Sequence, residues 1–208
     1  MGNTVVFLIR HGEIDNPRNI IYGSNIEMQL ANTGKDQMQR LAAKILKSGN
    51  VPSKIFSSPL QRTMESSNIL ASIWGISDIQ VEEDLKDSYV PALAGQPTSV
   101  LAKLRSKGED AYSDELRKQG NESRQDIATR MFRAYQKAIS NISDSIALVS
   151  HGDPILFLLY KLENPDSSEI PMADIIKNTI DYLSKGHAWK LLLDEKANLL
   201  SKEIITPL

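Results

Sequence analysis

Val5-Val6-Phe7-Leu8-Ile9-Arg10-His11-Gly12-Glu13, residues 5–13, is the stretch from which the fold can be read. Its first five residues form an unbroken run of β-branched, aliphatic and aromatic side chains. A run of this length with no polar alternation marks a strand buried on both faces of a parallel sheet. The run ends on an arginine, a histidine and a glycine. In open α/β sheets ligands bind beyond the carboxyl ends of the strands, so this tripeptide stands where chemistry is expected.

Outward from that strand, Gly12, Asn16, Pro17, Asn19, Gly23 and Asn25 mark a long irregular loop up to Asn32. Loops of this length in compact domains are usually functional or disordered. Thr33 reads as an N-cap, with Met38, Leu41, Ala42, Ile45 and Leu46 following at helical spacing until Gly49. Lys54-Ile55-Phe56-Ser57 is a short strand. A helix from near Pro59, which suits a first helical turn, runs to about Trp74, and Ile79–Val81 is another short strand. Pro91, Gly95, Pro97, Gly108 and Gly120 interrupt residues 84–122, which read as a lid or helical insertion within a single domain spanning residues 1–208. Ile127, Met131, Ala134, Tyr135, Ala138 and Ile142 define a further helix. Ser145-Ile146-Ala147-Leu148-Val149 repeats the buried-strand pattern, an apolar helix follows Pro154, and Ala188–Ile205 reads as a hairpin turning at Asp194–Asn198. No internal repeat appears. Strands alternating with helices predict a three-layer α/β/α sandwich with a mostly parallel central sheet.

Composition narrows the function classes. The chain has 208 residues, 24 Lys+Arg against 26 Asp+Glu, a net charge of −2 and 41 % hydrophobic residues, enough to bury a sizeable core. It has no cysteine, which excludes disulfides, a thiol nucleophile and thiolate metal sites, and fits a reducing cytoplasm. Near-neutral charge without a basic tract argues against nucleic-acid binding. No apolar run approaches the roughly 18 residues needed to span a membrane. Met1-Gly2-Asn3-Thr4 has no cationic start, and the apolar run after it is too short for a signal peptide. A soluble, cytoplasmic protein without a membrane or nucleic-acid partner and without a cofactor is expected.

Three segments carry candidate chemistry: Arg10-His11-Gly12-Glu13, Ser57-Ser58-Pro59-Leu60-Gln61-Arg62 and His151-Gly152-Asp153. If their strands are parallel, they emerge on one rim, where two imidazoles and two guanidiniums converge. The arginine fork matches phosphate oxygens, and two such forks with a close backbone approach at glycine make a dianion site. An imidazole at its centre can attack phosphorus if its attacking nitrogen is neutral. The arginines disfavour an imidazolium and stabilise the equatorial oxygens of the transition state, so no metal is required. The second ring nitrogen needs an acceptor, for which a carbonyl in the Gly12 turn is a candidate. Each piece also has a plainer reading. His151 alone is as well read as a structural hydrogen-bonding group, and Arg62 as a solvated helix residue. Asp153 reads as the cap of the helix that follows, and His187 as structural or exposed. Lys103, Arg105, Lys107, Arg117 and Lys118, mixed with acidic residues, read as a solvated face rather than as contacts to an anionic substrate.

Taken together, Val5–Glu13 (VVFLIRHGE), Ser57–Thr63 (SSPLQRT) and Leu148–Pro154 (LVSHGDP) resemble the histidine phosphatase superfamily, branch 1, which includes cofactor-dependent phosphoglycerate mutases. The likeness covers the N-terminal third and the surroundings of His151, and fades over residues 84–122 and the tail. It implies that His11 is the nucleophile that becomes phosphohistidine, with Arg10, Arg62 and His151 forming the phosphate pocket. Asn16 and the Tyr22-Gly23 backbone correspond to the loop that meets the phosphoryl group and substrate, although the spacing from Arg10 to Asn16 is one residue shorter than in the mutases. Gly152 corresponds to a backbone contact beside the second histidine.

The family places a glutamate proton donor in a Leu-x-Glu pattern after the third strand. Here Asp84-Leu85-Lys86-Asp87 puts Asp87 at that position, completing a catalytic set of His11, Asp87 and His151. The shorter side chain requires a closer backbone, and Glu82, Glu83 and Asp153 are the alternatives. Mutases carry Glu-Arg-x-Tyr-Gly where this chain has Asp87-Ser88-Tyr89-Val90-Pro91, without the arginine. The resemblance therefore favours a metal-independent phosphatase acting on a small phosphorylated metabolite, with specificity in residues 84–122. The alternatives are mutase-type phosphoryl transfer, or a non-catalytic phosphate-binding regulatory protein, since the glutamate is missing. A metallohydrolase built on His11, His151 and Asp153 has no His-x-His or Glu-x-x-His spacing behind it. Apolar Ile155–Tyr160 packs in the core by default, with a homodimer as the other use of that helix.

Overall fold

The computed structural model describes residues 4–140 and 145–207; the readings made on Met1–Asn3 and on Ile142 lie outside them. The elements in order are β1 (Thr4–Arg10), α1 (Asn32–Lys47), β2 (Lys54–Ser57), α2 (Gln61–Trp74), β3 (Ile79–Val81), α3 (Ser99–Arg105), α4 (Asp114–Lys118), α5 (Arg124–Ile139), β4 (Ile146–Ser150), α6 (Gly152–Glu163), α7 (Ala173–Ile176), β5 (Ala188–Leu193) and β6 (Leu199–Ile205). They build a six-stranded sheet in the order β3-β2-β4-β1-β5-β6. The pairs β1/β4, β2/β4 and β2/β3 are parallel, and the β5–β6 hairpin adds two antiparallel strands beside β1.

Side-chain alternation explains the apolar run of β1. Val6 and Leu8 enter one core layer with α5 and α6, while Val5, Phe7 and Ile9 enter the other with α1 and α2. β4 divides likewise, with Ile146 and Leu148 on the first side and Ala147 and Val149 on the second. Val6, Phe7, Leu8 and Ile9 are all at 0 % exposure. At roughly 1.5–3 kcal/mol for each large side chain buried, this strand is among the strongest local contributions to stability. It is an interior strand, so the residue that follows it starts from a fixed point.

Helix starts differ from the sequence expectation. α1 is capped at Ala31, without a side-chain cap, rather than at Thr33. Ala31 N–H instead donates to Glu13 O at 2.9 Å, tying the helix entrance to the loop after β1. α2 begins at Gln61, two residues after Pro59. Its first free N–H, that of Gln61, is met at 3.1 Å by the carboxylate of Glu27, a residue remote in sequence. Leu46, expected on the apolar face of α1, is exposed. Residues 84–122 contain a 3-10 turn, Glu83–Leu85, at their entry and the short helices α3 and α4. Val90, Leu93 and Tyr112 from this stretch belong to the same core layer as α5 and α6. Among the described residues no helix is long and apolar enough to cross a membrane.

Candidate active site

The parallel register aligns Arg10 with Ser150, so His11 and His151 leave adjacent strands at the same level. His11 N–H donates to Ser150 O at 3.2 Å and Ser58 N–H to Val149 O at 3.0 Å. Backbone bonds therefore stitch all three chemistry-bearing segments onto one rim. The His11 ring is 1 % exposed, and its Nδ1 lies 2.8 Å from Gly12 O. A carbonyl only accepts, so Nδ1 carries the proton and Nε2 is the free base. Burial holds the His11 pKa well below the usual histidine range, reinforced by His151, Arg62 and Arg10 and opposed by the Gly12 bond. The ring of His151 stands 5.2 Å away, tilted by 58°. Its Nε2 is 3.0 Å from Ser58 Oγ, and burial followed by Arg62, Arg130 and Arg10 depresses its pKa as well.

Arg62 is fully buried. Its Nη2 donates to Asp87 Oδ2 at 2.8 Å and to Gly23 O at 2.9 Å, and the guanidinium lies 4.9 Å from the Tyr22 ring centroid. Its Nε and Nη1 have no partner. Buried donors of a charged group are costly to leave unmet, so this arginine is built to take a further acceptor. Arg10 repeats the pattern: Nη1 donates to Leu183 O at 2.7 Å, the group stacks on Tyr182, and Nε is unmet. Tyr22 stays a neutral phenol, its pKa pushed up to about 12 mainly by burial.

Two glycines set the spacing. A Cβ on Gly152 would stand 2.9 Å from Arg10 Cζ and 2.2 Å from the Tyr182 hydroxyl. One on Gly12 would stand 2.4 Å from Gly34 O, so the His11 loop touches the start of α1 backbone to backbone. Gly186 N–H, 2.9 Å from His11 O, holds the same loop from the other side.

A cavity of about 220 Å³ opens at this rim. Of the residues expected from sequence, Arg10, His11, Tyr22, Gly23, Asp87 and Gly152 line it. Arg62 and His151 are not in its wall but touch the residues that are. Asp87 accepts from Ser88 N–H at 2.9 Å through Oδ1, and its Oδ2 is 3.6 Å from His151 Nδ1. Asn16 is elsewhere: its amide bridges both backbone polar groups of Ile20, bracing the loop. Of the alternative acids, Glu82 pairs with Lys137 and Glu83 with Lys86. Asp153 does not cap α6, whose N-cap is His151 with no side-chain cap bond. Its carboxylate accepts from Tyr112 and Tyr182 instead, because both hydroxyls converge on it. His187 donates to Lys185 O at 3.0 Å. The basic residues of α3 and α4 are exposed. Ile155–Leu159 are buried in the core. Among the described residues no group of three or more His, Cys, Asp or Glu could hold a metal ion.

Sequence reading missed Tyr112, Tyr182, Gly34 and Arg130. From α5, Arg130 donates to the carbonyls of Asp84 and Lys86 at 2.7 Å each and of Asp87 at 3.1 Å, and pairs with Glu122 at 2.6 Å. It thus fixes the turn that carries Asp87. No local pattern marks these residues, since their partners are tens of residues away.

A histidine one residue past an interior strand, its pKa held down beside two guanidiniums that keep unmet donors among the described residues, marks the centre of this α/β protein's candidate site. The chain belongs to the histidine phosphatase superfamily (branch 1), whose family model matches residues 6–187. Phosphoglycerate mutase-like protein 4 of Arabidopsis thaliana is 24 % identical over 192 residues, covering 89 % of this chain and 82 % of that protein. Broad-specificity phosphatase YOR283W of Saccharomyces cerevisiae is 24 % identical over 190 residues, covering 86 % and 79 %. Among solved structures, mycobacterial glucosyl-3-phosphoglycerate phosphatase Rv2419c superposes with a TM-score of 0.74 at 18 % identity, covering 97 % of each chain. This last likeness is one of fold, and it agrees with the α/β sandwich expected from the sequence.

Proposed function

We propose that the protein is a metal-independent phosphatase that hydrolyses a small phosphomonoester through a phosphohistidine on His11. The observation that carries this reading is the fully buried Arg62, with two unmet donors, beside an imidazole whose free nitrogen is the unprotonated one. In the first step His11 Nε2 attacks phosphorus and the ester P–O bond breaks. Arg10, Arg62 and His151 hold the equatorial oxygens. Asp87, in the cavity wall and ion-paired with Arg62 in the free protein, takes up a proton as the phosphoryl group engages that guanidinium and delivers it to the departing alkoxide. In the second step water attacks the phosphohistidine and gives a proton to the Asp87 carboxylate, the P–N bond to His11 Nε2 breaks, and inorganic phosphate is released. The yeast relative's name supports hydrolysis, and the plant relative's supports mutase-type transfer as the second reading. Against transfer, Arg10 is the only arginine or lysine among the described residues of the cavity wall, which leaves no second cation there for a second phosphate. Action in the cytoplasm is part of the proposal, supported by the cysteine-free composition.

The test is turnover of p-nitrophenyl phosphate. His11→Ala is expected to lower it by at least about a thousandfold, and a chelator to leave the wild-type rate unchanged. Rapid acid-free quenching of the wild type should trap an acid-labile phosphoryl label that the variant lacks. Normal activity in His11→Ala overturns the reading.

A further inference from the structure

Besides its guanidinium end, the cavity is lined by Tyr112, Asp153 and Tyr182, with apolar Ile20, Ile21 and Val90 between them. Asp153 Oδ2 accepts from the Tyr112 hydroxyl at 2.6 Å and Oδ1 from the Tyr182 hydroxyl at 2.8 Å. Burial above all, followed by the charge of Asp153, raises the pKa of both phenols, so both remain protonated donors. The hydrogen-bond chain continues from Tyr112 to Ser88 Oγ at 2.8 Å, next to Asp87. The same three side chains also line an adjoining cavity of about 180 Å³, so Asp153 stands between the two spaces.

Asp153 has no cation within ion-pair distance among the described residues. Arg124 pairs with Asp110 and Lys185 with Glu13, while Arg105 and Lys177 share the single carboxylate of Asp174 in the wall of the adjoining cavity. It sits in the first turn of α6, where the helix dipole favours a negative charge. An ionised carboxylate offers about four acceptor positions, and the phenols fill two of them. The charged side chains around the cavity are therefore two guanidiniums, Arg10 and Arg62, and two carboxylates, Asp87 and Asp153. A phosphoryl dianion occupies both guanidiniums. Within the cavity at the histidines a further anionic group on the substrate finds no other arginine or lysine among the described residues and meets Asp153, whereas an ammonium finds an unpaired carboxylate.

We propose that Asp153, held in place by Tyr112 and Tyr182, is a specificity-determining residue that selects phosphomonoesters whose leaving alcohol carries an ammonium group. The proposal rests on the phosphatase reading above and names its substrate class, an aminoalkyl phosphate. The alkyl stem lies against Ile20, Ile21 and Val90, and the small cavity limits it to a few carbons.

The experiment compares kcat/KM for O-phosphoethanolamine, its uncharged isostere n-propyl phosphate, and 3-phosphoglycerate, with p-nitrophenyl phosphate as the activity control. The wild type is expected to favour phosphoethanolamine over propyl phosphate by about tenfold or more, as for a hydrogen bond to a charged group, and to disfavour 3-phosphoglycerate. In Asp153→Asn the first ratio should fall towards one, whereas Tyr112→Phe, which leaves the charge but removes one of its two tethers, should lower it less. A wild-type ratio near one, or a high ratio that survives in Asp153→Asn, overturns the proposal and leaves the phosphatase reading standing. If the wild type hydrolyses none of the four esters, the phosphatase reading falls and the proposal with it. Should Asp153→Asn not fold, the wild-type ratio decides.

Discussion

His11 and His151 leave neighbouring interior strands one residue beyond a parallel ladder, whereas Asp87 and Tyr112 come from residues 84–122, which hold only a 3-10 turn and two short helices. The first pair is fixed by backbone hydrogen bonds that any sequence with this sheet would make. The second is fixed by particular side chains, chiefly Arg130 on three carbonyls and Asp153 on two hydroxyls. On the proposed function this difference divides the labour: the geometry for attack on phosphorus would come from the sheet, while proton delivery and leaving-group recognition would come from a part that can change without disturbing it.

Substitutions on the two sides should behave differently. Arg62→Ala, on the sheet side, is expected to lower kcat/KM for p-nitrophenyl phosphate by about 10²–10³. It also removes the one arginine or lysine paired with Asp87 among the described residues, so urea unfolding should show a loss of about 3–5 kcal/mol, the usual penalty for breaking a buried pair. A loss confined to stability would break the comparison. The next effect is on pH. His11 and His151 are both held below their ordinary value of 6.5, so as acid is added the unfolded chain takes up these protons first. Their contribution is complete above about pH 6.5 and is lost as the pH falls below it, by at most about 1.4 kcal/mol per unit for each ring. Urea midpoints between pH 7.5 and 5.5 should fall accordingly, and replacing both histidines by asparagine should flatten that part of the profile.

On the insertion side, Arg130→Lys keeps the charge and loses the fork. It should lower kcat for an alkyl phosphate about tenfold and affect p-nitrophenyl phosphate less, because nitrophenolate leaves without help from an acid. Equal losses on both esters would place Arg130 outside proton delivery. Lys107→Ala, on the exposed basic stretch of the insertion, should change stability by no more than about 0.5 kcal/mol and leave the kinetics of every ester as they were. A change in KM there would restore these lysines as substrate contacts.

The same division governed what could be read in advance. Val5–Ile9 and Ile146–Val149 announce buried strands because both faces demand apolar side chains, and the residues that follow them are thereby located. Arg10, His11, Arg62, His151 and the acceptor at Gly12 all follow from that placement. Asp87 was found only through a family likeness, since one aspartate in an acidic stretch carries no periodic signal. Asp153 was misread because a position one residue past a glycine at a helix start suits a cap, and local sequence does not show two tyrosines arriving from residues 112 and 182. Asn16 has a use that its position alone does not announce: its amide satisfies the backbone of its own loop at Ile20. The Gly12–Gly34 approach was invisible because it depends on how α1 enters the sheet.

The antiparallel hairpin has a consequence for the order in which the protein becomes competent during synthesis. β5 flanks β1 over six residue pairs, and the turn before it, through Gly186 and His187, bonds the backbone of Arg10 and His11. His11 is thus clamped by a segment that lies far along the chain from it, beyond the fourth strand and the helix that follows. A nascent fragment ending before residue 187 exposes β1 as a bare sheet edge and keeps His11 only by its bonds to Ser150 and Gly12, so the full set of contacts around this imidazole forms only after β5 has been made.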